Sequence, residues 1–430
     1  MLTLQIFGLF FFLALTGIPL YFSMLATAAG IIFFRGLPYQ MDALLLNLIS
    51  GVEPFLLIAV PLFIFAGELL SKGGVGKRIV NFSRVLFGWM PGGLGVVTIV
   101  SCLMFGGVSG SAIADTAAIG SLVAPTMKKK GYPAEFTAAL LAVAGTLALL
   151  MPLSIPFLVY AFISGVSMRI LSMSGVVPGL ICAIALAIVC IRFGKKTDYD
   201  NGSDKASARE IWEVTKDAFP ALLMPIIIVG GIWSGYFTPT EAASIAVIYG
   251  LVVSLFYYKD LKPRDLPALA LKAFQTSAAV LLLIGATGVL SWLMTVEMVA
   301  AQMAEWIQSV VSQPWQFLLL FNFVLIILGM FIEPLPAMLL TAPLFLPMAQ
   351  AMHIDMTLMG VIFVMNLSIA LYTPPVGGTL FVAAKLCRAG IGSITKYLMP
   401  LLFMNVIVLL LTTFVPWLSK ALPKLLFGVG

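Results

Sequence analysis

At 430 residues the chain could hold two or three soluble domains, but it is 61% hydrophobic and only 10% charged, against about 25% charged in ordinary soluble domains. That excludes a soluble enzyme and describes a polytopic membrane protein. The net charge of +6 comes from Lys and Arg in short connecting segments, which are orientation signals and not a nucleic-acid footprint.

Taken in order, residues 2 to 35 are apolar with a break at Thr16-Gly17-Ile18-Pro19. No basic segment and cleavage site precede a polar chain, so this reads as membrane span and not as a cleaved signal. A third span is expected at 43 to 71. The stretch from Lys72 to Met90 is amphipathic: Val75, Ile79, Phe82 and Leu86 face one way, Lys77, Arg78 and Arg84 the other. It predicts a helix lying in the interface. A re-entrant hairpin is expected at 92 to 127, a broken span at 134 to 167 with its break at Pro152 to Pro156, and a span at 171 to 191. Residues 194 to 210 read as a polar linker. Spans then fall near 218 to 235, 240 to 258 and 270 to 294. An interfacial helix at 296 to 311, a hairpin at 314 to 350, a broken span at 357 to 384 and a last span at 396 to 415 follow.

This layout occurs twice at one offset. Gly107, Pro125, Pro152 and Pro178 recur 222 residues later as Gly329, Pro347, Pro374 and Pro400, and Thr16 as Thr238. Thr238-Pro239-Thr240-Glu241 has the form of a capping box with proline at the first helical position. Each half has five crossings, an interfacial helix and a hairpin. Five is odd, so the second half must be inverted in the membrane. With the N-terminus outside, 20 of the 24 Lys and Arg residues fall on cytoplasmic segments, leaving only Arg35, Arg169, Lys420 and Lys424 outside. The positive-inside rule supports this orientation.

The chemistry is expected at the hairpin tips and breaks. Segment 106 to 120, GGVSGSAIADTAAIG, is small and hydroxylated inside a greasy chain. Irregular backbone at membrane depth is tolerated where it is buried or lines a cavity, and discontinuous helices use it to bind ions and anionic substrates. Proline frees carbonyls in the breaks. Hydroxyls and carbonyls suit Na+. One cation site is expected per half, from Gly107, Ser109, Ser111, Pro152 and Ser154, and from Gly329, Glu333, Thr373, Pro375 and Gly377. A substrate carboxylate would meet Ser109, Gly110, Ser154, Pro156, Thr373, Gly378 and Thr379. Asp115 reads as ordering the tip. The same small residues would also serve close helix contact without an ion. Glu53 and Glu68 read as span-end residues, His353 as a loop residue, and the tryptophans as an interfacial belt. Cys102, Cys182, Cys190 and Cys387 lack CxxC spacing, which argues against a zinc centre or disulfide framework.

GELLSKGGVGKRIV near Gly67, PGGLG from Pro91, SGSAIADTAAIG from Ser109, SIPF from Ser154, FTPTEAA from Phe237 and YTPPVG from Tyr372 occur in the order found in one family. In these the chain resembles the large membrane subunit, DctM type, of the tripartite ATP-independent periplasmic (TRAP) transporters. The resemblance implies an all-α elevator carrier of two inverted repeats in the bacterial inner membrane, and Na+-coupled import of an organic acid anion such as a C4-dicarboxylate, sialic acid or sugar acid. It implies a small four-span subunit (DctQ type) and a periplasmic binding protein (DctP type) as partners. By analogy, 1–90 (with arm 72–90) and 211–312 (with arm 296–311) would be scaffold. Segments 91–193 and 313–430 would form the transport domain. The alternative is a stand-alone divalent-anion/Na+ symporter with no binding protein. An intramembrane protease would need a nucleophile and base, or paired acids, that the sequence does not offer.

Overall fold

The computed structural model describes residues 2–39, 41–197, 205–299, 302, 311 and 313–428. The described chain is helical, and eight of its helical segments are long and apolar enough to cross a membrane. The first half holds α1 (Leu2–Leu15), α2 (Leu20–Arg35), α3 (Asp42–Ser50), α4 (Ala59–Lys72), α5 (Val75–Phe87), α6 (Gly93–Ser109), α7 (Ala112–Lys129), α8 (Ala134–Thr146), α9 (Ile155–Ser164), α10 (Met168–Ser174) and α11 (Val176–Thr197). The second holds α12 (Ala208–Ser234), α13 (Pro239–Val252), α14 (Leu266–Val296), α15 (Pro314–Gly329), α16 (Pro334–Ala351), α17 (Met356–Ala370), α18 (Gly378–Cys387), α19 (Ile391–Phe414) and α20 (Trp417–Phe427).

The element bounds carry the 222-residue offset. Adding it to α7 gives 334–351, the bounds of α16, and adding it to α9 gives 377–386 against 378–387 for α18. Thr16 falls in the turn between α1 and α2, and Thr238 caps α13 in a capping box with Glu241.

Two expectations need correction, one falls mostly outside the described residues, and one helix was not expected. The third span is not one helix: α3 ends at Ser50, and Gly51 to Pro54 separate it from a 3-10 turn, Phe55–Ile58, that leads into α4. Pro54 cannot donate and disfavours helix in the residue before it. Helix α12 starts ten residues before the expected span, capped by Ser207, whose hydroxyl accepts from Glu210 N. The linker therefore shrinks at both ends, and its residues 198–204 lie outside the described residues. Of the expected interfacial helix 296–311, Val296 closes α14 and most of the rest lies outside the described residues. Finally, a further amphipathic helix, α20, follows the last span.

The breaks form as proline demands. After α8 the chain tightens into a 3-10 turn, Leu147–Leu150, and Met151 turns extended ahead of Pro152. Helix α9 restarts from Ser154, whose Oγ accepts from Phe157 N. The α8–α9 segment is buried along its most apolar stretch, and α17 is buried from Leu358 to Ala370. These two segments meet at the centre, where Ser368 Oγ donates to Thr146 O at 3.1 Å. The two residues are 222 apart, so equivalent helix ends of the two halves touch one another.

Helix α5 lies against α4, α6 and α12. Its apolar side buries Val75 and Ile79. Arg78 departs from expectation. It does not share the polar side with Lys77 and Arg84, which are exposed. It turns inward, pairing with Asp217 of α12 (3.7 Å) and with Asp260, and stacks over the Tyr258 ring at 3.7 Å. The Tyr258 hydroxyl donates to Asp217 O (2.9 Å) and accepts from Ala221 N (3.1 Å). It thus sits inside a helical hydrogen bond of α12 beside Pro220, whose own carbonyl accepts from Tyr249 OH at 2.9 Å. Side-chain hydroxyls satisfy backbone groups that prolines free within a span.

Candidate functional site

The first hairpin turns in two residues. Gly110 takes φ +60° and its N–H closes on Gly106 O at 3.2 Å. Ser111 then caps α7 through a bond from Ala114 N at 3.4 Å. Ser109 Oγ donates to Asp115 Oδ1 and accepts from Ser111 N at 3.3 Å. Asp115 is fully buried, and its Oδ2 has no hydrogen-bond partner among the described residues. One carboxylate oxygen of Asp115 thus holds Ser109 across the turn, and the other is buried.

This tip lies against the first break. A Cβ on Gly110 would stand 2.8 Å from Leu153 O and 3.2 Å from Ser154 Cα; one on Gly106 would stand 2.5 Å from Ala148 Cα and 3.0 Å from Asp115 Oδ2. Gly107 instead faces Pro225 of α12 at 3.9 Å. Gly106, which sequence reading left unassigned, is therefore the residue that lets α6 approach the break. Ser154 is buried and serves as the N-cap of α9, with Pro156 in the first turn; Pro152 is buried in the break.

The second half is less symmetric in its contacts. A Cβ on Gly329 would meet Ala370 Cβ at 2.5 Å, as Gly106 meets Ala148. Glu333 occupies the N-cap position of α16 without making a cap bond, and it is exposed. In the second break Thr373 Oγ1 donates to Ile369 O (2.7 Å), and Thr379 Oγ1 donates to Leu371 O (3.1 Å). Gly377 is buried against Leu371 O, Pro375 is exposed, and Gly378 packs toward Ile113 of α7. The two halves therefore interlock, with the second break seated on the first hairpin.

Both hairpins reach one small cavity of about 110 Å³, lined by Gly110, Ser111, Ile155, Pro156, Glu333 and Leu371 among others. Thr373, Pro375, Gly377, Gly378 and Thr379 do not line it. A larger cleft of about 430 Å³ starts at Ser109, Ser111 and Ile155 and runs between α7 and the wall of α4, α5 and α14. That volume is in the ligand-site range of roughly 300 to 1,000 Å³. The α7 side is small (Ala114, Ala117, Ala118, Ser121), while the opposite wall carries Glu68, Lys72, Lys77 and Lys272. Lys272 Nζ and Glu68 Oε1 pair at 2.7 Å. Glu68, read from sequence as a span-end residue, and Lys272 both face this cleft. They are far apart in sequence, and only the packing of α4 on α14 joins them.

With this geometry in place, a family model described as "Tripartite ATP-independent periplasmic transporter, DctM component" matches residues 7–418. The chain is 36% identical over 440 residues to the C4-dicarboxylate TRAP transporter large permease protein DctM of Rhodobacter capsulatus, covering 99% of this chain and 100% of that one. It is 35% identical over 421 residues to the sialic acid TRAP transporter large permease protein SiaM of Vibrio cholerae, covering 97% of each. These relatives are permease subunits and not enzymes. A crystal structure of the Alcanivorax borkumensis YdaH transporter shares the fold, with a TM-score of 0.65 over 90% of each chain at 14% identity.

Proposed function

We infer the function of this chain from its family: it belongs to the DctM component of the tripartite ATP-independent periplasmic transporters, matching over residues 7–418. On that premise we propose that it is the large permease subunit of a Na+-coupled importer of an organic acid anion, a C4-dicarboxylate, a sialic acid or a sugar acid. It would sit in the bacterial inner membrane with its N-terminus in the periplasm. A four-span subunit of the DctQ type and a periplasmic binding protein of the DctP type would be its partners.

The observation that carries this reading is the meeting of both hairpin tips and the first break at one cavity, with a cleft leading from the first tip past a basic wall. Helices α6–α11 and α15–α19 would move as the transport domain of two inverted repeats, against a scaffold of α1–α5 and α12–α14. A cleft with small residues on one wall and charged ones on the other suits a sliding surface, because small residues leave no side chains to interlock. Na+ would be cargo. The residues at the first tip fit it: Asp115 Oδ2 is buried without a donor, and buried acceptors demand a partner. Ser109 is bonded to the other oxygen of the same carboxylate, and Ser111 and the Leu153 carbonyl of the break lie at the same tip. The departing carboxylate would meet Lys72, Lys77 and Lys272 in the cleft.

The test is uptake into proteoliposomes holding this chain with a four-span subunit, supplied with a binding protein and with succinate, N-acetylneuraminate or gluconate. Uptake of one anion driven by a Na+ gradient and absent with K+ is expected. Uptake that is indifferent to Na+ would overturn the coupling, and uptake without the binding protein would favour a stand-alone carrier. Asp115→Asn keeps the shape of the tip and should abolish Na+ dependence; Na+-driven uptake at the original rate would remove Asp115 from the site.

A further inference from the structure

Helix α5 has three cations along its length, Lys77, Arg78 and Arg84, and they have different fates. Arg78 is paired with Asp217 and Asp260 and stacked on Tyr258. Lys77 and Arg84 are exposed and form no ion pair among the described residues. Lys77, Asn81 and Arg84 follow at i, i+4 and i+7, so they stand in one row along the helix. That row borders a hollow of about 100 Å³ between α5 and the base of the first hairpin. Its floor is apolar: Leu94 and Val97 from the first turns of α6, and Val123 near the end of α7, are all buried. Among the described residues no carboxylate lines it.

We propose that this hollow is a binding site for an anionic phospholipid, with the headgroup phosphate held between Arg84 and Lys77 and an acyl chain laid over the apolar floor. Two unpaired cations above a greasy floor complement a ligand that is anionic at one end and apolar at the other. A guanidinium fits phosphate oxygens in fork geometry, and Asn81 can donate between the two charges. Trp89, a residue type enriched at membrane–water interfaces, is exposed just beyond the end of α5 under the Lys205 ammonium, 4.8 Å from its ring. The lipid would touch both α5 and the hairpin. Lys77 also borders the larger cleft, so Arg84 is the residue that separates the two sites.

The experiment is native mass spectrometry of the purified full chain in detergent, titrated with dioleoylphosphatidylglycerol or dioleoylphosphatidylcholine. The phosphatidylglycerol should bind more tightly. Its advantage should fall about fivefold in Arg84→Gln and ~30-fold in Lys77→Gln/Arg84→Gln, as basic residues at a membrane surface contribute. The pair Lys195→Gln/Lys196→Gln, exposed at the end of α11, should leave it unchanged. Arg84→Lys keeps the charge and should retain most binding, which separates charge loss from misfolding. Equal binding of the two lipids overturns the proposal, as does undiminished phosphatidylglycerol binding in the double variant. Displacement of the lipid by millimolar inorganic phosphate would make this a free-anion site and overturn it too. None of these readouts requires transport, so they stand apart from the test of import.

Discussion

At the scale of single residues, the first hairpin depends on Gly110. Its φ of +60° and the 2.8 Å from a would-be Cβ to Leu153 O impose two separate penalties on any side chain. Left-handed backbone costs roughly 1–2 kcal/mol for other residues, and the overlap is with backbone that cannot rotate away. Gly110→Ala should lower the melting temperature by the equivalent of about 2 kcal/mol or more and abolish uptake; a variant that melts and transports like the parent would show that the tip is not held against the break. A second residue-scale prediction concerns Asp355, which caps α17 and pairs with Lys420 of α20 at 2.7 Å. Partial burial raises its pKa, but the Lys420 hydrogen bond and the backbone N–H groups of Leu358 and Thr357 outweigh this and hold it below the usual value. A depressed carboxylate contributes stability above its unfolded pKa and loses it as pH falls through the folded one. Lys420→Gln should therefore lower the melting temperature at pH 7 by the equivalent of no more than about 1 kcal/mol. The difference should begin to narrow as pH falls through about 4 and close only below the depressed folded pKa. A gap that does not narrow at all on acidification would assign the loss to packing.

At the scale of elements, α5 is pinned to the neighbouring helices by Arg78. Four features converge there: the pairs to Asp217 and Asp260, the stack on Tyr258, and a bond to Gly74 O at 3.0 Å. Both acids are partly exposed, so solvent screens much of the charge term. Arg78→Gln should still cost about 1–3 kcal/mol, and Arg78→Lys nearly as much, because an ammonium cannot reproduce the stacked planar fork. Thermal unfolding in detergent measures both; full recovery by Lys would mean that charge alone matters. Tyr258→Phe is the companion measurement, since it strips Ala221 N and Asp217 O of their inserted hydroxyl.

At the scale of the molecule, the orientation makes a direct prediction. With Cys387 replaced by Ser, the remaining native cysteines, Cys102, Cys182 and Cys190, are all buried, so an introduced thiol should dominate labelling. In intact cells Tyr236→Cys, in the turn between α12 and α13, should react with a membrane-impermeant maleimide from outside. Lys196→Cys should react only after the membrane is opened. The reverse pattern would invert the whole topology and with it the side from which the cleft at Lys72 and Lys272 opens.

What the chain determined by itself is what local chemistry controls. Apolar length marked the spans, proline and glycine marked both breaks and the first tip, and the Thr238–Glu241 capping box fell where its spacing said it would. The broken third span and the early start of α12 were missed because Pro54 and Ser207 act weakly against long apolar or polar runs. Tertiary structure alone decided which of the small residues touch. Gly106 and not Gly107 meets the break, because helix rotation sets which side of α6 faces it, and a run of adjacent glycines carries no phase. It decided that Glu333 stays exposed while Asp115 is sealed. It also paired Glu68 with Lys272 and Arg78 with Asp217, over separations of 204 and 139 residues. Such contacts depend on how helices cross, and crossing is set by packing over whole faces and not by any segment's own sequence.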